Sequence, residues 1–297
     1  MNEQTMQGLF PILATPFDDD DRIDVEDLQR EVEFSIEKGV HGLGIALASE
    51  VMKLSEVERD LATKTVVDQA NDRVPVVVNT GAPSASLTIL YSKRVEDLGA
   101  DASMITPPTA VSADVIKEYY RQISDATSIP IFIQDVPTAS ILAALAGEMA
   151  REIEGVQYIK AENPPTPSSI AGFVEAGGND LTVFGGAGGA FLIEEMRRGS
   201  MGIMPHAAVP EFFRKVWDLF HKGDERAAEA EFNCMTPLLR VMTQGAGPTS
   251  LHLVKEVLRV RGVFKSINVR PPAAAPSDFT YRELRAAVEA LGLVEVS

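Results

Sequence analysis

Eight short apolar segments, each followed by a helix-like stretch, recur along the chain as far as residue 222, and this rhythm restricts the possible folds more than any other feature. The segments are GLFPILATPF (8–17), HGLGIAL (41–47), VPVVVNT (74–80), DASMITP (101–107), IPIFIQDV (129–136), VQYIKAE (156–162), LTVFGGA (181–187) and MGIMPHA (201–207). They are apolar throughout rather than alternating, as strands are when helices cover both faces of a parallel sheet. Helix signals lie between them, among them VEDLQREVEFSIEKG and a capping box from Ser55 to Glu58. A spacing of roughly 25 to 30 residues per unit predicts an α/β protein, a (β/α)8 TIM barrel, with an open doubly wound sheet as the alternative.

After residue 222 the strand pattern stops, and helices are predicted near 224–242, 248–261 and 280–292, the last opened by a Thr280 to Glu283 box. The expected organisation is a barrel over 1–222 and a C-terminal helical extension over 223–297 packed on it. The run PPAAAP at 271–276 is too short to separate domains. A chain of 297 residues, 45% hydrophobic and 24% charged, can bury the single large core this requires.

Charge and cysteine content narrow the function. The net charge of -16 disfavours nucleic acid and anionic lipid, so no nucleic acid and no membrane partner is expected, and a small molecule is. The start MNEQTMQGLF has no basic stretch leading into an apolar one, no run approaches the roughly 18 apolar residues of a membrane span, and Cys234 is the one cysteine. A cytoplasmic protein is the expectation.

Barrel active sites are built at the C-terminal ends of the strands, and one such end carries an anomaly. In GVQYIKAENPP (155–165) a lysine interrupts an otherwise buried strand, and burying an unpartnered ammonium costs several kcal/mol. Side chains alternate, so Tyr158, Lys160 and Glu162 share one face while Ile159 and Ala161 share the other. Should the apolar pair face the helices, Lys160 points into the barrel mouth, where desolvation would lower its pKa and free an amine able to attack a ketone. From the residue alone, a lysine reaching solvent or paired with Glu162 is the favoured reading.

The layout as a whole resembles the dihydrodipicolinate synthase and N-acetylneuraminate lyase family of class I aldolases. GLFPILATPF, the acid-terminated loop ALASE after strand two, ITPP after strand four, PIFIQDVP on strand five and YIKAE on strand six carry the resemblance over nearly the whole chain. It implies that Lys160 forms a Schiff base with pyruvate or another 2-oxo acid. It also implies a homo-oligomer, many relatives being tetramers of tight dimers.

Four departures bear on the reaction. The family's strand-five Tyr-Asn-x-Pro reads Gln134, Asp135, Val136, Pro137, so the proton-relaying phenol is replaced by an amide that takes up and releases no proton near neutral pH. Leu47 and Ala48 replace the hydroxyls of the strand-two loop and leave Ser49 and Glu50 polar; Pro108 and Thr109 stand where synthases carry a tyrosine pair; Ala139 stands in place of the synthase arginine. Together these argue against lysine biosynthesis. The Gln-Asp-x-Pro variant is closest to the 2-keto-3-deoxyarabonate dehydratase-like branch. Chemistry agrees: once an imine forms, the C3 protons become acidic and the enamine can expel a C4 hydroxyl, whereas aldol cleavage needs a base on that hydroxyl.

The expected catalytic residues are Lys160, Gln134 and His206, the last at the end of strand eight with a side chain suited to proton transfer. Ser49, Glu50, Thr109 and Glu162 are expected to bind substrate, with Gly186 and Ala187 of the run FGGAGGAF (184–191), whose backbone N–H groups could hold a carboxylate. Phe191 in the third glycine position argues against a nucleotide there. Asp135 and Tyr158 are expected to be structural, and Thr15, Thr80 and Thr106 to satisfy backbone. No metal and no cofactor is expected, since His41, His206, His221 and His252 are scattered and Cys234 has no partner. The alternatives are a pyruvate-dependent aldolase or synthase, and a family member that binds without catalysis.

Overall fold

The computed structural model describes residues 5–244 and 248–293. In chain order the elements are β1 (Gly8–Leu9), α1 (Val25–Glu37), β2 (Leu43–Ile45), α2 (Glu56–Ala70), β3 (Val76–Asn79), α3 (Ala85–Asp97), β4 (Ala102–Ile105), α4 (Ala113–Ser124), β5 (Ile131–Asp135) and α5 (Ala143–Glu152). They continue with β6 (Val156–Ala161), α6 (Thr166–Gly177), β7 (Thr182–Gly185), α7 (Leu192–Met196), β8 (Gly202–Ile203), α8 (Pro210–His221), α9 (Glu225–Met242), α10 (Pro248–Val260) and α11 (Asp278–Ala290). Eight strands alternating with helices make this an α/β protein, and three further helices follow α8. The chain forms two compact units, Met1–Phe10 with Pro75–Pro205, and Pro11–Val74 with His206–Ser297.

In the first unit the strands lie in the order β1-β8-β7-β6-β5-β4-β3, and the pairs are parallel. One face of this sheet packs on helices: Ile133, Ile159 and Val183 join Tyr120, Ile123, Met149, Ile170 and Phe173 in one apolar cluster. The other face carries an aromatic layer in which Phe132 stacks on Tyr158 at 4.4 Å and Phe184 meets Phe10 and Phe132 edge-on at 5.3 Å. Burial of each such ring contributes about 1.5–3 kcal/mol. Gly202 admits this layer, because a Cβ there would stand 2.1 Å from Phe184. Two residues further along β5 and β6, at Gln134 and Lys160, the same face turns polar.

In the second unit Ile12 makes parallel bridges to Gly44 of β2 and to His206. Pro11, which has no N–H to give, separates Ile12 from β1, so the expected first strand is split in two. Helix α2 opens on the expected box: Ser55 Oγ accepts from Glu58 N–H and the Glu58 carboxylate accepts from Ser55 N–H at 2.8 Å. The last helix does not. It begins at Asp278 with Ser277 as its cap, accepting from Thr280 N–H at 3.2 Å, because Ser277 with an acid behind it supplies the same hydroxyl one turn earlier than Thr280.

Candidate active site

The strand-six lysine is buried, at 2% exposure, and in register with Gln134 of β5 and Phe184 of β7. Alternation places it one step beyond Tyr158, on the face that carries the aromatic layer. Tyr158 itself packs on Phe132 and accepts from Met6 N–H at 3.1 Å. Lys160 Nζ lies 2.8 Å from Glu162 Oε2, and the same oxygen accepts from Gln134 Nε2 at 3.1 Å. Glu162 follows β6 directly, and its backbone N–H donates to Asp135 O at 2.8 Å, continuing the ladder one step past the strand.

The second Glu162 oxygen is held from β7. Ala187 N–H donates to Oε1 at 3.2 Å, and Ala187 adopts φ 49°, a left-handed conformation that aims this amide at the carboxylate. Gly186 leaves the space: a Cβ on it would stand 2.4 Å from Glu162 Cγ. The Gly-rich turn therefore clamps a side chain of the protein. Burial alone would raise the Glu162 carboxyl, but the Lys160 ammonium and the hydrogen bonds from Lys160, Gln134 and Ala187 outweigh it and bring the carboxyl below its ordinary range.

On the other side Gln134 Oε1 accepts from Asn79 Nδ2 at 3.3 Å. The result is one polar chain across three strands, Asn79, Gln134, Glu162 and Lys160, above an aromatic floor. Asp135, alternating away, accepts from Ile141 N–H at 3.0 Å; burial, helped by the Glu162 charge, pushes its carboxyl up to about 6 against that bond. Behind β7, Glu195 is fully buried, and burial pushes it up to about 7 against the pull of the nearby Thr166 hydroxyl. Gly185 makes room for it, since a Cβ there would meet Glu195 Oε2 at 1.8 Å.

Lys160, Gln134, Glu162, Gly186 and Ala187 are thus brought together. Thr109 lies exposed in the loop after β4. Ser49, Glu50 and His206 belong to the second unit. There Ser49 is buried, donating its hydroxyl to Leu13 O and accepting from Ala46 N–H. Glu50 is buried too and both its oxygens are engaged, by Lys255 Nζ at 2.7 Å, by Lys53 Nζ at 3.0 Å and by Arg270 N–H at 3.2 Å. Lys255 also donates to Asn268 O at 2.6 Å, and burial lowers its pKa against the pull of Glu50. His206 is half-buried three residues beyond β8, which ends at Ile203. Among the described residues no group of three or more His, Cys, Asp or Glu side chains is arranged to hold a metal ion, and no helix is long and apolar enough to cross a membrane.

Asn79 was absent from the sequence-based candidates, although it carries the same signal as Lys160, a polar residue closing an apolar strand in VPVVVNT. Glu195 gave no such signal, because a glutamate in a short helix reads as solvent-facing.

Known proteins resemble the chain over nearly its whole length. A 2-keto-3-deoxyarabonate dehydratase of the L series from Azospirillum brasilense is 31% identical over 289 residues, covering 94% of this chain and 93% of its own. A 4-hydroxy-tetrahydrodipicolinate synthase from Methanopyrus kandleri is 28% identical and covers 97% of each. A dihydrodipicolinate synthase crystal structure from Rhodopseudomonas palustris superposes with a TM-score of 0.88 at 27% identity, over 96% of this chain and 97% of that one. The family described as the Dihydrodipicolinate synthetase family matches residues 5–291, and the chain belongs to it.

Proposed function

We propose that the protein is a Schiff-base-forming lyase that dehydrates a 2-keto-3-deoxy sugar acid or a related 2-oxo acid. The observation that carries this reading is the pairing of buried Lys160 with Glu162 at the C-terminal end of β6, in register with an amide where a phenol would relay protons. The likeness to the Azospirillum brasilense dehydratase supports the same substrate class.

In this reading Glu162 holds the Lys160 ammonium until a 2-oxo acid arrives and then takes its proton across their hydrogen bond. The free amine adds to the C2 carbonyl, and loss of water leaves an iminium whose positive charge still faces the carboxylate. Removal of a C3 proton gives the enamine, whose electrons expel the C4 hydroxyl as water once a proton is supplied. Water then cleaves the unsaturated iminium, freeing the lysine and the dehydrated 2-oxo acid. Glu162 is the titratable group bonded to both Lys160 and Gln134, so we assign it the proton transfers at nitrogen and C3. His206 is the proposed donor to the departing hydroxyl, and Ser49, Glu50, Thr109, Gly186 and Ala187 are proposed to shape the site. Gln134 bonds at both ends of its amide, which suits positioning and not proton transfer.

The proposal includes a closed (β/α)8 barrel over 1–222 with 223–297 as its helical extension, and cytoplasmic homo-oligomers. Val57, 76% exposed, and Leu61, one turn on along α2, offer apolar surface consistent with assembly. Borohydride reduction in the presence of pyruvate or a ketodeoxy acid tests the imine: a stable adduct on Lys160 is expected, and its absence overturns the reading. Mass analysis of products then separates water loss from pyruvate release, the aldolase outcome that the synthase relatives keep in view.

A further inference from the structure

The polar chain that ends at Lys160 begins at Asn79, and its hydrogen-bond logic fixes which way each amide points. Glu162 carries a carboxylate, which only accepts, so Gln134 must turn Nε2 toward it and Oε1 away. That Oε1 in turn requires a donor, so Asn79 must present Nδ2 to it, and the Asn79 oxygen is left facing elsewhere. Asn79 is 4% exposed, and its Oδ1 has no hydrogen-bond partner among the described residues. An unpaired acceptor in the interior is costly, and this one is held in place by three successive bonds at the C-terminal end of β3.

We propose that Asn79 Oδ1 accepts a hydrogen bond from a hydroxyl of the bound 2-oxo acid, and that it selects hydroxylated chains over pyruvate. This rests on the Schiff-base reading of Lys160. The Gln134 amide lies between Asn79 and Glu162, so the hydroxyl that reaches Oδ1 belongs to C4 or a carbon beyond it and not to the carbonyl centre bound by the lysine. Asn79 is therefore a substrate-positioning residue: it fixes the rotation of the chain beyond C3 while its Nδ2 keeps Gln134 turned toward Glu162. A site built to accept from a substrate hydroxyl discriminates strongly against the analogue that lacks it, because the acceptor is then left unpaired.

The test compares borohydride trapping of pyruvate with that of 4-hydroxy-2-oxobutanoate in the parent, Asn79→Leu and Asn79→Asp. The parent is expected to half-saturate at a lower concentration of the hydroxylated acid. Asn79→Leu should weaken the hydroxylated acid about ten-fold more than it weakens pyruvate, so that the ratio of the two half-saturations collapses. Asn79→Asp keeps an acceptor but takes the N–H from Gln134 Oε1, so it should weaken both acids while still favouring the hydroxylated one. Equal shifts for both acids in Asn79→Leu, or no shift for either, overturn the assignment. Should Asn79→Leu fail to trap pyruvate, Asn79→Ala, which removes the acceptor without adding bulk, is read by the same comparison. A parent that traps neither acid overturns the Schiff-base reading, and this inference with it; a parent that traps both equally overturns this inference alone.

Discussion

Glu162 Oε2 receives Lys160 Nζ at 2.8 Å and Gln134 Nε2 at 3.1 Å, so one oxygen joins the lysine to the amide that replaces the family's phenol. The lysine therefore sits beside a counter-ion. Strand alternation places Glu162 on the same face as Lys160, and the fold brings the two charges into contact.

Lys160→Ala should remain folded yet lose both borohydride trapping and turnover. It also leaves Glu162 without its cation, and burial then raises that carboxyl. The loss of thermal stability should consequently be larger at pH 8, where an unpaired carboxylate must stay charged or take up a proton, than at pH 5. Equal losses at both pH values, measured by calorimetry, would show that the pair does not govern the charge of Glu162.

Gln134→Ala should lower turnover by about ten-fold through lost positioning, while pyruvate still traps on Lys160. Gln134→Glu adds a titrating group beside Glu162 and should introduce a new pH dependence. Gln134→Tyr restores the usual phenol and should raise pyruvate release relative to dehydration. Three variants identical to the parent in rate and product ratio would make Gln134 a bystander.

Gly186→Ala should displace Glu162, because the new Cβ would stand 2.4 Å from its Cγ. Turnover should fall and the pH–rate profile should shift as Glu162 loses the Ala187 N–H, with little change in unfolding temperature. Replacing Ala187 by glycine is the control: at φ 49° it relieves backbone strain and keeps the amide. A Gly186→Ala enzyme with the parent's pH profile would refute the clamp.

Glu31 offers a test of stability in the second unit. It is buried and pushed up to about 8, burial outweighing its bond from Ala14 N–H at 2.9 Å and the Lys255 charge. The folded carboxyl holds its proton where the unfolded one, near 4.5, has released it. Folding stability should therefore fall as pH rises from about 4.5 toward 8 and level off above, with a slope of up to about 1.4 kcal/mol per pH unit. Glu31→Gln should abolish that fall, as denaturant unfolding at pH 5 and pH 8 would reveal.

Condensation of pyruvate with aspartate semialdehyde should be negligible, since Ala139, Pro108 and Thr109 stand where synthases carry an arginine and tyrosines. A direct assay of the condensation product checks this, and robust formation would return the protein to the synthase class.

Strand count, strand order along the chain and the position of Lys160 were all legible in the amino-acid sequence, because apolar runs and a two-residue alternation are local properties. The same locality misled at the edges. Thr280 and Ser277 offer the same capping hydroxyl, and only the packed helix chose the earlier one. His206 reads as the end of strand eight, but in the fold that strand stops at Ile203 and His206 joins Ile12 in an isolated bridge. What tertiary structure alone decided was the partnership of polar groups. Glu50 is an acid beside a turn in the sequence, but a buried counter-ion of Lys255, 205 residues away, in the fold. Asn79 and Gln134, 55 residues apart, become one hydrogen-bonded pair only when β3 and β5 enter the same sheet. Periodicity assigns a side chain to a face; the group it bonds to there depends on which distant strand lies opposite, and that follows from packing the whole sheet.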